Sequence, residues 1–125
     1  MSVSLLKYQE RARFDPDRLE QLCRAVGEIQ AEHEAANALE KINAALKGID
    51  FLGSPEDKRR LTIRLNALIE ASDKIGMSTL GRVARDVRNC SRSGNQNALA
   101  ATLSRLVRVG ERSIHAIFDL DDQTL

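Results

Sequence analysis

The chain reads as an all-α protein, an antiparallel four-helix bundle. Three observations carry that expectation. Leu, Ala, Arg, Glu and Lys fill long stretches interrupted by two prolines and seven glycines, a composition that favours helices over strands. Apolar residues recur in steps of three and four. Start and stop signals bracket the periodic stretches, and the connections are short enough to send successive helices back alongside one another. At 125 residues the chain suffices for one core without disulfides or metal.

Residues 1–14 hold Leu5, Leu6, Tyr8 and Phe14 without a sustained period. They fit a loose tail and a short extra N-terminal helix across the bundle end equally well. The bundle proper is expected over 15–118. It opens at Asp15-Pro16, a capping carboxylate before a proline at the first helical position, where the missing N–H is harmless and the fixed φ suits the helix.

From there the apolar positions run Leu19, Leu22, Val26, Ile29, His33, Ala36, Leu39, Ile42, Leu46 and Ile49, with one skip after Ala36. Either that skip or Gly27 divides the stretch. A turn spans Gly48 to Gly53. Ser54-Pro55-Glu56-Asp57 starts the next helix, with Ser54 as cap and Asp57 bonding back from the third position. That helix buries Leu61, Leu65, Leu68, Ser72 and Ile75, which leaves Asn66 off the seam and exposed.

Gly76 ends it. Ser78 is expected to cap a helix carrying Leu80, Val83, Val87 and Cys90, which stops at Ser93-Gly94. Asn95 caps a last helix striped by Leu99, Leu103, Leu106, Gly110, Ile114 and Ile117, ahead of an acidic tail over 119–125.

Composition removes several function classes. Aromatic content is 3% with no tryptophan, so stacking platforms for single-stranded nucleic acid and ring cages for cations are disfavoured. Cys23 and Cys90 lack a CxxC partner and a histidine at ligand spacing, so no metal or redox cofactor is expected and both thiols should pack as small buried groups. No stretch approaches a membrane span or the apolar core of a signal peptide, which makes a reducing cytoplasm the expected compartment. Residues 1–53 carry 7 basic and 9 acidic side chains and residues 54–125 carry 12 and 9, so the second half is mildly basic.

The segment from Asp73 to Ile114 resembles the second half of histidine phosphotransfer (Hpt) domains. Its turn Ile75-Gly76-Met77 is similar to the family's turn after the phospho-histidine helix, Leu80-Gly-Arg-Val-Ala-Arg-Asp-Val to its next helix, and Ser93-Gly94-Asn95 with Ala98-Leu99-Ala100-Ala101-Thr102-Leu103 to its last turn and helix. Upstream, Asp15-Pro16-Asp17-Arg18-Leu19-Glu20-Gln21-Leu22 looks like the family's opening. The resemblance implies a bacterial two-component phosphorelay module whose partner is a response-regulator receiver domain or a sensor kinase.

In that family a histidine opens a His-x-Leu-Lys-Gly-Ser/Ala motif ten residues before the turn glycine. Here the place is held by Asn66-Ala67-Leu68-Ile69-Glu70-Ala71. An amide nitrogen has its lone pair drawn into the carbonyl, so Asn66 cannot accept a phosphoryl group as an imidazole does. Ile69 supplies no charge for the transferring group, and Glu70 replaces clearance with a carboxylate facing an acidic partner. The resemblance therefore implies a phosphotransfer-deficient module with Asn66, Ile69, Glu70 and Asp73 on an exposed partner-binding face and no catalytic residue.

Two other readings stand beside it. His33 is the histidine that an active relay would use instead, although its place on the apolar stripe argues for packing. Arg82, Arg85, Arg88 and Arg92, with Arg105, Arg108 and Arg112 on the last helix, recur every three or four residues. They form either two solvated faces or one basic face for an acidic partner, with nucleic acid conceivable but supported by no motif. The sequence names no oligomeric state.

Overall fold

The computed structural model describes residues 14–49 and 55–124, and every regular element among them is helical. In chain order these are α1 (Pro16–Val26), α2 (Glu28–Lys47), α3 (Pro55–Ile75), α4 (Ser78–Ser93) and α5 (Gln96–Thr124). Residues 1–13, the turn at 50–54 and the expected cap Ser54 lie outside the described residues.

Local chemistry sets the ends. Asp15 accepts from the Asp17 N–H at 3.0 Å on its side chain, with Pro16 behind it, as the sequence indicates. Asn95 does the same for α5, taking the Ala98 N–H at 3.0 Å. Gly76 stops α3 with φ at 78°, and the Met77 N–H reaches back to the Ser72 carbonyl at 2.8 Å, which satisfies a carbonyl the last turn leaves over. Ser78 is not a cap: α4 begins on it, the preceding position is Met77, and no side chain caps that end. At the far end α5 runs on through Thr124 into the segment expected as a tail, because no glycine or proline follows Gly110.

Gly27 is the break between α1 and α2. Its φ of 86° and ψ of 162° turn the chain sharply, and a single residue joins the two helices. The stripe that runs on in the sequence therefore changes phase there. Ile29 is 76% exposed, and His33 and Ala36 are exposed as well. The buried face of α2 is instead Ala31, Ala38, Ile42 and Ala45, three small residues and one large one, Ile42, which enters the core.

The packing closes on itself: α2 lies against α3, α3 against α4, α4 against α5, and α5 back against α2, while α1 rests on α2 and α3. Ile42, Leu65, Leu68, Leu80 and Leu106 meet in the middle with no exposure, each worth about 1.5–3 kcal/mol in burial. Gly110 lets α5 and α2 meet, since a Cβ there would overlap the Leu46 side chain. Cys23 and Cys90 are half-buried free thiols rather than buried ones. Among the described residues no helix is long and apolar enough to cross a membrane.

Candidate functional site

Helix α3 presents two flanks to solvent. On the flank toward α4, Asn66 is exposed and Asp73, two turns on, is half-buried. Ile69 does not join them at the surface. It is 8% exposed and belongs to the apolar core, because α3 is covered by α2 on one side and α4 on the other and so buries a wider arc than a narrow seam. Of the expected face of Asn66, Ile69, Glu70 and Asp73, Asn66 and Asp73 share this flank, Ile69 is buried, and Glu70 lies on the opposite flank toward α2.

α4 ties into that face through two arginines. Arg85 Nη2 donates to Asp73 Oδ2 at 2.5 Å, and Arg88 Nη1 donates to Asn66 Oδ1 at 3.1 Å. Arginine has donors only, so the oxygen of the Asn66 amide must be the atom turned toward it. Gly81 keeps room for the first pair: a Cβ there would sit 3.1 Å from Asp73 Oδ1 and 3.3 Å from Arg85 Nη1. The result is a polar surface in which Asn66 presents its NH₂ outward beside the Arg88 guanidinium, with the Arg85–Asp73 pair two turns along α3.

The arginines expected to form either two solvated faces or one basic face divide accordingly. Arg85 and Arg88 turn toward α3, and Arg105 lies 3.5 Å from Asp86 between α5 and α4. Arg82, Arg92 and Arg108 are exposed, and Arg112 is half-buried. His33 stands exposed on α2, free of the packing its apolar neighbours suggested.

On the other flank of α3 lies a groove against α2 that the sequence reading missed. Gln30, Glu34, Asn37 and Lys41 line it from α2, and Glu70 and Lys74 from α3. Lys74 Nζ donates to Glu34 Oε1 at 3.4 Å. The spacing of 30, 34, 37 and 41 is a helical stripe in its own right and was the available signal. Comparison with protein-family models, with curated proteins and with solved structures finds no match.

Proposed function

We propose that the chain is an Hpt-like, antiparallel four-helix bundle of bacterial two-component signalling, acting in the cytoplasm without carrying phosphate. It binds a receiver domain or a sensor kinase through the α3 face at Asn66. The exposure of Asn66 beside Arg88 is the observation that carries this reading. A residue in the place where the family has its nucleophile is open to a partner, yet offers an amide with no basic lone pair. Arg88, held by the neutral Asn66 amide while Arg85 is balanced by Asp73, places positive charge where a receiver's acidic pocket would approach, which favours encounter, and the closed order of helix contacts is compatible with the bundle.

The test is titration of a receiver domain, phosphorylated on its aspartate, into isotopically labelled protein. Saturable amide shifts at Asn66, Ala67, Glu70 and Asp73, with no phosphate passing to the chain, are expected. Absence of saturable shifts, or shifts confined to α5, overturns the reading.

One observation favours a second reading. Because His33 is exposed, its imidazole is reachable by a phosphorylated receiver, as an active relay requires. Acid-labile phosphate on the wild-type chain that disappears in His33→Ala would put this reading in place of the first.

A further inference from the structure

Arg88 is a cation without a counter-charge. Its Nη1 donates to the neutral Asn66 amide at 3.1 Å, and no carboxylate meets it among the described residues. The neighbouring Arg85 is balanced by Asp73. Arg92, one turn beyond Arg88 on α4, and Arg59, two turns before Asn66 on α3, are exposed and make no ion pair among the described residues. Glu70, one turn past Asn66, lines the groove toward α2 with Lys41 and Lys74. The α3–α4 flank therefore carries positive charge that nothing described on it offsets, and such a surface draws anions.

The donors at its centre suit a phosphoryl group. Arg88 holds N–H groups beyond the one given to Asn66, and guanidinium bonds to phosphate oxygens are charge-assisted and strong. With its oxygen on Arg88, the exposed Asn66 amide turns a second donor, its NH₂, to solvent at the same point. The guanidinium stays protonated and the amide nitrogen has no basic lone pair, so neither attacks phosphorus. A pair of this kind holds a phosphoryl group that stays on its own carrier.

We propose that Asn66 and Arg88 read the phosphorylation state of the receiver domain. The chain binds the aspartyl-phosphate form in preference to the unmodified one, with Asn66 Nδ2 and the Arg88 guanidinium on the phosphoryl oxygens, and no bond is made or broken. The proposal rests on receiver docking at the Asn66 face.

Calorimetric titration of the full chain with the receiver domains of its own genome, each with and without beryllofluoride and magnesium, tests it. Beryllofluoride on the aspartate mimics a phosphoryl group that cannot be passed on. At least roughly tenfold tighter binding of the beryllofluoride form is expected. Asn66→Asp keeps an oxygen for Arg88 and removes the outward NH₂, whereas Arg88→Gln removes the charge. Each should bring the two forms to within about twofold of one another. A receiver bound as tightly without beryllofluoride, or a preference that either variant leaves intact, overturns the inference while docking stands. No receiver bound in either form overturns both. Inorganic phosphate alone, followed by amide shifts at Asn66 and Arg88, should bind at least roughly tenfold more weakly than the beryllofluoride form. Equal affinity would make the corner a site for a free anion and overturns the proposal.

Discussion

Arg88 bridges α4 to α3 by donating to the Asn66 side-chain oxygen at 3.1 Å. The Nε of the same guanidinium is buried without a partner among the described residues. Asn66 thus supplies an acceptor to a cation that has one N–H already out of water. Asn66→Ala should lower unfolding free energy by about 0.5–1.5 kcal/mol in urea denaturation. Asn66→Asp turns the contact into an ion pair, and its gain should stay below about 1 kcal/mol and fade with added salt. A gain indifferent to salt would contradict this account.

Gly76 and Gly94 both hold left-handed backbone, with φ of 78° and 76°, but their surroundings differ. A Cβ on Gly94 meets nothing within 4 Å, whereas one on Gly76 runs into the Asp15 carbonyl oxygen and lies 3.1 Å from Arg18 Cβ. Gly94→Ala should therefore cost only the backbone term, about 1–2 kcal/mol. Gly76→Ala should cost at least about 1 kcal/mol more. Equal losses in paired denaturation curves would show that α1 yields freely at that contact.

Gly110→Ala forces a methyl group into Leu46, and a loss of about 1–3 kcal/mol is expected from overpacking. Leu46→Ala in that background should cost less than it does in the parent, since the smaller side chain clears the overlap. A double-mutant cycle measures the coupling, and strict additivity would place the α2–α5 contact elsewhere.

Ile69→Lys, the change that restores the lysine of the Hpt motif, buries an ammonium at a position with 8% exposure. A loss of at least about 2 kcal/mol is expected, against less than about 1.5 kcal/mol for Ile69→Met. Thermal unfolding of the two variants side by side gives the comparison. A lysine variant as stable as the parent would mean that the side chain escapes to solvent.

The helix ends that were legible in the sequence are those written in local covalent terms. Asp15-Pro16, Gly76, Gly94 and Asn95 each fix their own backbone geometry or pair with a neighbour three residues away or fewer. What depends on two helices meeting was not legible. The phase of α2 could not be carried across Gly27, so His33 and Ala36 were placed on the wrong side, and the buried alanines at 31, 38 and 45 had too little hydrophobicity to announce a core face. Ile69 looked exposed because a seam covered by one neighbour is narrower than the arc α3 buries beneath two. At the candidate site, the exposure of Asn66 followed from periodicity, while its partner Arg88 and the groove at Glu34 required knowing which helix lies on which flank.

α1 contributes no buried residue. Its start is held by the Asp15 N–H on the Gly76 carbonyl at 2.7 Å, and its end is joined to α2 by Gly27 alone. A helix attached in this way opens as a unit at small free-energy cost. In native-state hydrogen exchange its amides should form a cooperative segment that loses protection ahead of α3 and α4. Each such opening also bares the Gly76 turn, so the latch at one end of the molecule sets how often the α3–α4 corner is exposed to solvent.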